Sequence, residues 1–215
     1  VAVAGYGAEI TTCGKSLAER DETLNEIVSR TGANMIHPFN DNRVITGQGT
    51  AALELLEDQP DLDVVMTPIG GGGLISGSAI ATTESSKAKV IGAEPAGADD
   101  AWQSFQAGRL IPGGPPDTIA DGLRPVIAGQ LTFEHANDLM DDVVTVDDES
   151  IRDAARMLVH KHKLVVEFSG AATTAALLSG RVKCEGGRVA AVISGGNLGM
   201  LAECAECPFF RETRR

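Results

Sequence analysis

Hydrophobic positions along the chain follow two patterns, one spaced for helices and one continuous over short runs. Leu24, Ile27 and Val28 recur at a helical spacing and predict a helix over residues 17–30. The same criterion predicts helices over residues 44–58, 74–85, 99–107, 131–140, 148–162, 169–179 and 197–206. Short apolar runs predict strands over residues 8–12, 62–67, 90–93, 143–146 and 188–193.

Two of the predicted strands, residues 64–66 and 189–193, are apolar throughout rather than at alternate positions. Strands of this kind are buried on both faces, as in a parallel sheet covered by helices. The alternation of strands and helices therefore predicts an α/β fold with a doubly wound parallel sheet. Ligands bind such sheets at the carboxyl ends of the strands. Glycine-rich loops follow two strands, at residues 70–73 and 194–197, and we expect them to line one site.

The tetraglycine loop, residues 70–73, separates a predicted strand from a predicted helix that begins at Leu74. Without Cβ atoms, consecutive backbone N–H groups can turn toward one point, and a helix N-terminus adds partial positive charge. This arrangement predicts a cradle for a phosphate group. No Lys-Ser/Thr pair follows the loop and the G-x-G-x-x-G spacing is absent, so a phosphorylated small molecule is favoured over ATP or NAD. A glycine-rich turn without a ligand is the alternative.

Composition and charge exclude several classes of partner. The chain has 215 residues, of which 43% are hydrophobic, enough for a sizeable core. A formal net charge of −12 would repel nucleic acid and anionic membranes, so neither is expected as a partner. No apolar run has the length of a membrane span, and we expect a cytoplasmic protein. Of four cysteines, Cys204 and Cys207 form a single C-x-x-C pair, for which reduced thiols are expected rather than a zinc site.

Six short motifs occur in an order and at spacings that resemble one known family. They are Gly47-Gln-Gly-Thr50, the strand–tetraglycine–helix unit, Gly92-Ala-Glu-Pro95, Ile119-Ala-Asp-Gly122, Val166-Glu167 and Ile193-Ser-Gly-Gly-Asn197. Together they resemble the fold-type II pyridoxal-phosphate enzymes, which have the tryptophan synthase β-like fold. The resemblance is strongest to the serine racemase and threonine (serine) dehydratase family.

The resemblance implies a cofactor, pyridoxal 5'-phosphate, and the residues that bind it. The phosphate would be held by the backbone of Gly70, Gly71, Gly72, Gly73 and Leu74. Gly122 would line the cofactor face, Glu167 would lie near the ring, and Ser194 would offer its hydroxyl to the pyridine nitrogen. A neutral hydroxyl partner leaves that nitrogen largely unprotonated, which suits β-elimination and proton exchange. Considered alone, Ser194 is better explained as a turn residue opening a glycine loop, and only its combination with the tetraglycine loop favours the cofactor role.

The resemblance also implies a divalent cation site formed by the carboxylates of Glu94 and Asp100 and the carbonyl of Ala98. Hard oxygen ligands suit Mg²⁺, Mn²⁺ or Ca²⁺. The alternative is that the two acids are ordinary surface charges in a chain with 30 acidic residues.

Two motifs of the family have no counterpart in this sequence. They are the Ser-Phe-Lys-like motif with the Schiff-base lysine and the Ser-Ser-Gly-Asn-His-Gly-like loop with the opposite-face serine, so no catalytic residue is assigned. We therefore expect a C-terminal piece of the enzyme that is inactive alone and lacks its N-terminal portion. Residues 1–37 would end the small domain, and residues 38–215 would form the large cofactor-binding domain.

For the complete protein the resemblance implies a pyridoxal-phosphate-dependent serine/threonine dehydratase (ammonia-lyase) or serine racemase. Either would act on small hydroxy amino acids by α-proton abstraction, as a homodimer. Two alternatives stay open: a cysteine synthase-like β-replacement enzyme, against which the acidic pair Glu94 and Asp100 argues, and a non-catalytic truncated paralogue.

Overall fold

The structure, a computed structural model, describes residues 2–14, 17–125, 127–184 and 186–197. Contacts within the chain divide it into two units, residues 1–36 and residues 37–215. The C-x-x-C pair of Cys204 and Cys207 and all but the first residue of the predicted helix 197–206 lie outside the described residues. Among the described helices, none combines the length and the apolar character needed to cross a bilayer.

The first unit contains two helices, α1 (Ala2–Gly5) and α2 (Leu17–Thr31). Helix α2 confirms the predicted helix, and its apolar positions Leu24, Ile27 and Val28 are half-buried. The predicted strand over residues 8–12 is wrong, because residues 8–14 have no regular secondary structure and Ile10 is 53% exposed. A strand needs a neighbour to satisfy its backbone groups, and the described residues of this unit contain no second strand.

The second unit alternates helices and strands, as predicted. Its helices are α3 (Asn42–Asp58), α4 (Gly73–Ser85), α5 (Asp100–Ala107), α6 (Gln130–Asn137), α7 (Asp148–Met157) and α8 (Ala172–Leu178). Its strands are β1 (Val64–Pro68), β2 (Lys89–Pro95), β3 (Asp142–Val146) and β4 (Val189–Ala191). Short 3₁₀ turns lie at Asp121–Leu123 and Ser169–Ala171.

The four strands form one parallel sheet in the order β3-β2-β1-β4. Strand β1 is buried along its whole length, which explains why its sequence is apolar without alternation. In register, Met66 of β1 lies opposite Ile91 of β2 on one side and Ala191 of β4 on the other. The carboxyl ends of β1, β2 and β4 therefore meet at one edge of the sheet.

Helices cover both faces of this sheet. On one face, Val64, Met66 and Ile91 pack in a single core cluster with residues of α7 and α8. On the opposite face, Val65 packs with Leu56 of α3. The predicted doubly wound parallel fold is thereby confirmed.

Helices α3 and α4 cross in backbone contact on this second face. A Cβ on Gly77 would overlap the carbonyl oxygen of Ile45, and a Cβ on Gly49 would lie 2.8 Å from the carbonyl oxygen of Gly77. The crossing fixes the position of α4 and therefore of its N-terminus, where the tetraglycine loop ends.

Helix α7 is shorter than predicted. It ends at Met157 and continues as a π-turn, Leu158–His162. Lys163 then adopts a left-handed conformation with φ of 60°, and its Nζ donates a hydrogen bond to the His160 carbonyl at 2.6 Å. The turn redirects the chain toward the edge of the sheet, where Glu167 lies.

Candidate functional site

The tetraglycine loop leaves β1 at the carboxyl edge of the sheet and leads into α4. Gly72 has φ of 91°, a conformation that favours glycine, and Gly73 is the first residue of the helix. Throughout the part of the chain that the structure describes, no group accepts a hydrogen bond from the amides of residues 70–74. Five consecutive unpaired N–H groups at a helix N-terminus fit an anionic ligand such as a phosphate.

The serine–glycine loop, residues 194–197, lies beside the tetraglycine loop. It follows β4, the strand that pairs with β1, and Met66 lies opposite Ala191. Gly70 lies four residues beyond Met66 and Ser194 lies three residues beyond Ala191, so the two loops leave the sheet at neighbouring positions. Thr173 of α8 donates a hydrogen bond to the Val192 carbonyl at 2.9 Å, which anchors the chain just before Ser194. The Ser194 side chain is exposed.

Glu167 holds the serine–glycine loop at two points. Its carboxylate oxygen Oε2 accepts a hydrogen bond from the Asn197 amide at 2.8 Å, and its own amide donates to the Gly195 carbonyl at 3.1 Å. A Cβ on Gly195 would lie 2.5 Å from Glu167 Oε1. The loop is thus closed against this side chain, and glycine at Gly195 permits the approach.

Gly122 joins the same group through a buried serine. The Gly122 amide donates a hydrogen bond to Ser169 Oγ at 2.8 Å, and Ser169 is only 2% exposed. Gly122 also borders the tetraglycine loop, because a Cβ on Gly70 would lie 3.0 Å from the Gly122 carbonyl oxygen. The structure therefore brings together every residue that the sequence predicts around a cofactor: the tetraglycine loop, Gly122, Glu167 and the loop of Ser194.

Several side chains that support this arrangement escaped sequence reasoning. Thr132 Oγ1 donates to the Gly71 carbonyl at 2.8 Å, and Ser169 and Thr173 fix the neighbouring loops as described. Each acts on a backbone group distant in sequence, so no local motif announces it. The available signal is weak: Ser169, Thr173 and Thr174 are the hydroxyl residues of a segment, residues 169–176, that otherwise consists of glycine and alanine.

The two acids predicted to bind a cation lie at the same edge of the sheet. Glu94, on β2, is 1% exposed, and Asp100, the first residue of α5, is 4% exposed. The Glu94 carboxylate accepts hydrogen bonds from the amides of Ala101 (3.2 Å) and Trp102 (2.5 Å) at the start of α5. Asp100 Oδ2 is buried and has no hydrogen-bond partner among the described residues.

Burial changes the acidity of both groups. It raises the pKa of Glu94 to about 8 and the pKa of Asp100 to about 6, because the charged forms lose hydration. Ala98, whose carbonyl is the third predicted ligand, lies in the turn between these two acids and donates its amide to the Pro95 carbonyl at 2.9 Å. Within the described residues, no group of three His, Cys, Asp or Glu side chains is placed to hold a metal ion. A cation here would therefore rest on two carboxylates and a carbonyl.

Comparison with known proteins identifies related sequences and structures. A family model described as "Pyridoxal-phosphate dependent enzyme" matches residues 2–195. Serine racemase of Oryza sativa subsp. indica is 43% identical over 206 residues, covering 92% of this chain and 60% of the relative. A beta-hydroxyaspartate dehydratase of Paracoccus denitrificans is 41% identical over 194 residues, covering 90% of this chain and 61% of the relative.

Among solved structures, maize serine racemase superposes with a TM-score of 0.88 at 41% identity, covering 92% of this chain and 62% of that chain. The chain thus spans about 60% of the length of the curated relatives it matches. The fold is that of fold-type II pyridoxal-phosphate enzymes. The chain belongs to the family of pyridoxal-phosphate dependent enzymes.

Proposed function

We propose that the complete protein binds pyridoxal 5'-phosphate through this chain and abstracts the α-proton of a small hydroxy amino acid. Dehydration with loss of ammonia, or racemisation, would follow. The names of the relatives, serine racemase and beta-hydroxyaspartate dehydratase, support both the substrate class and the reaction. The observation that carries the proposal is the row of five amides, residues 70–74, that have no hydrogen-bond acceptor among the described residues and lie beside the loop of Ser194.

In this proposal each loop holds one end of the cofactor. The amides of residues 70–74 bind the phosphate, and the Ser194 hydroxyl pairs with the pyridine nitrogen. When bound, the cofactor supplies an electron-withdrawing ring that acidifies the substrate α-proton. Gly122 borders the ring. Glu167 keeps the serine–glycine loop in place, because its carboxylate is engaged by the Asn197 amide.

We further propose that Glu94, Asp100 and the Ala98 carbonyl bind Mg²⁺, Mn²⁺ or Ca²⁺. Two buried carboxylates with raised pKa values favour a cation, which would stabilise their ionised forms. Asp100 Oδ2, which has no hydrogen-bond partner in the described part of the chain, offers a ligand atom. The cation would tie the carboxyl end of β2 to the start of α5, so its role would be structural and modulatory.

The proposed organisation of the complete protein assigns residues 1–37 to the end of a small domain and residues 38–215 to the large domain. The contact division between residues 36 and 37 supports this boundary. A homodimer, drawn from the family resemblance, and a cytoplasmic location are further predictions.

Assays of the complete protein test this function. L-Serine, L-threonine and hydroxyaspartate would be supplied, with ammonia, keto acid and stereochemical inversion measured with and without Mg²⁺. We expect turnover of at least one substrate without an added nucleophile, increased by Mg²⁺. Turnover only with an added thiol or sulfide, independent of Mg²⁺, would identify a β-replacement enzyme. A protein that binds pyridoxal phosphate but turns over none of these substrates would favour a non-catalytic paralogue.

A further inference from the structure

We infer that Phe39 is a positioning residue for the tetraglycine loop and thereby sets the affinity for the phosphate end of the cofactor. The identity of the ligand, a phosphorylated cofactor, rests on the proposed function. The positioning role of Phe39 rests on its packing against the loop. Phe39 lies in the turn before α3, more than thirty residues upstream of the loop, and no sequence motif connects the two.

The Phe39 ring occupies the space beside Gly71 where a side chain would stand. A Cβ on Gly71 would overlap the ring, and a Cβ on Gly73 would lie 3.2 Å from the Phe39 Cα. Two of the four glycines are therefore covered by one residue. Their lack of side chains permits this contact as well as any approach of a phosphate.

Gly71 is also held by hydrogen bonds. Its carbonyl accepts one from the Gly129 amide at 3.2 Å and one from Thr132 Oγ1 at 2.8 Å. Gly71 is thus held both by the Phe39 ring and by the segment 129–132. Removal of the ring would leave the hydrogen bonds but free the loop to move on the ring side.

Phe39 is itself held in place by its neighbours. His37 Nδ1 accepts hydrogen bonds from the amides of Phe39 (3.3 Å) and Asn40 (2.9 Å), and the His37 and Phe39 rings meet edge to face at 4.5 Å. Asn40 Oδ1 accepts from the Leu131 amide at 2.9 Å, which ties this turn to the segment that holds the Gly71 carbonyl. Phe39 thus contacts Gly71, Asn40 binds the segment 129–132, and that segment binds the Gly71 carbonyl. These connected contacts set the shape of the tetraglycine loop before any ligand binds.

Preorganisation of this kind raises affinity because the loop need not be ordered on binding. Glycines lose more backbone freedom than other residues when they are ordered, so a loose tetraglycine loop would bear a large entropic penalty. Loss of this preorganisation should weaken binding of the phosphate group in particular, because the amides of the loop are the groups that would contact the phosphate.

The packing claim is tested by a double-mutant cycle on thermal stability. In the 215-residue chain, Gly71→Ala should lower the melting temperature by roughly 4–10 °C, from the usual penalty of overpacking in a protein of this size. In the Phe39→Ala background the same change should cost less than half as much, because the ring is gone. Gly47→Ala is the matched control, since nothing lies within 4 Å of a Cβ at that position. Equal penalties for Gly71→Ala in both backgrounds would overturn the inference.

The cofactor claim is tested by titration with pyridoxine phosphate and pyridoxine, which share a ring, lack the aldehyde and differ in the phosphate. Phe39→Ala should weaken binding of the phosphorylated compound about tenfold, with little effect on pyridoxine. Leu55→Ala, which truncates a half-buried side chain at the far end of α3, should leave both affinities unchanged.

The two tests separate failure of this inference from failure of the proposed function. Tight binding of pyridoxine phosphate that Phe39→Ala leaves intact would overturn the inference alone. No binding of pyridoxine phosphate by the unmodified chain would instead contradict the proposed cofactor role, and with it the ligand part of the inference. The double-mutant cycle would still decide whether Phe39 sets the position of the loop.

Discussion

Glu94 and Asp100 differ from most of the 30 acidic residues of the chain in where the fold places them. Both are almost fully buried, whereas Glu54 and Glu84 on neighbouring helices are exposed. Sequence spacing placed the two buried acids on one turn but could not establish that they are buried. The interpretation of both as surface charges is wrong.

Burial of these acids predicts an unusual pH dependence of stability when divalent cations are absent. The folded-state pKa of Glu94, about 8, and that of Asp100, about 6, lie above their ordinary values of 4.5 and 3.8. The folded state therefore holds protons that the unfolded state releases, and stability should fall as pH rises from about 4.5 to about 8. The contribution of Glu94 is on the order of 5 kcal/mol. Urea unfolding in EDTA across this range measures it, and Glu94→Gln should flatten most of the slope.

A divalent cation should restore the stability that the chain loses when Glu94 and Asp100 ionise. Saturating Mg²⁺ should raise the melting temperature of the chain by roughly 5–10 °C, the size expected for a ligand at about a hundred times its dissociation constant. Glu94→Gln should abolish the increase, and Glu54→Gln, which removes an exposed acid from α3, should leave it intact. An unchanged melting temperature in Mg²⁺, Mn²⁺ and Ca²⁺ alike would exclude a cation site at Glu94.

Hydroxyl residues mark the limit of what the sequence reveals about the site. The glycine loops, Gly122, Glu167 and Ser194 carry motifs, and their mutual proximity is as the motifs predict. Ser169 and Thr132 act by single hydrogen bonds to distant backbone groups. Their partners are set by the fold, so no pattern within a short window of sequence identifies them.

At the scale of the elements, helices α3 and α4 approach closely where they cross. Gly49 and Gly77 bring the two helix backbones together, and the crossing holds the N-terminus of α4 under the tetraglycine loop. Sequence alone predicted both helices close to their observed bounds but gave no indication that these two glycines meet.

This contact predicts strong sensitivity to one methyl group. Gly77→Ala should destabilise the chain by about 3 kcal/mol, the upper part of the range for overpacking, because the clash is with backbone that cannot rotate away. Gly47→Ala, in the same helix pair but facing open space, should be neutral or stabilise by up to about 1 kcal/mol through helix propensity. Chemical denaturation compares the two variants. Equal free energies of unfolding for both would show that the helices do not approach as closely as described.

Element boundaries differ from the predicted ones where local conformation overrides periodicity. Apolar spacing continues past Met157, yet the helix widens into a π-turn that closes at Lys163 in a left-handed conformation. The predicted strand over residues 8–12 is wrong for a different reason, which is the lack of a partner strand rather than local conformation. Its residues suit a strand locally, but the described part of its unit offers no strand with which to pair.

At the scale of the whole molecule, apolar strands without alternation correctly indicated a parallel sheet with helices on both faces. The order of the strands could not be predicted, because β4 pairs with β1 across more than a hundred residues of sequence. That pairing makes the two glycine-rich loops neighbours. The site therefore depends on a long-range contact, although each of its loops can be recognised locally.

The central claim is that the paired loops at this edge form a cradle for a phosphorylated pyridine cofactor. Isothermal titration of the 215-residue chain with pyridoxine phosphate tests it most directly, since this compound cannot react with surface lysines. We predict saturable binding at one site, at least about tenfold tighter than that of pyridoxine, because charge-assisted hydrogen bonds from the amides require the phosphate. Absence of saturable binding, or equal affinity for the two compounds, would contradict the account.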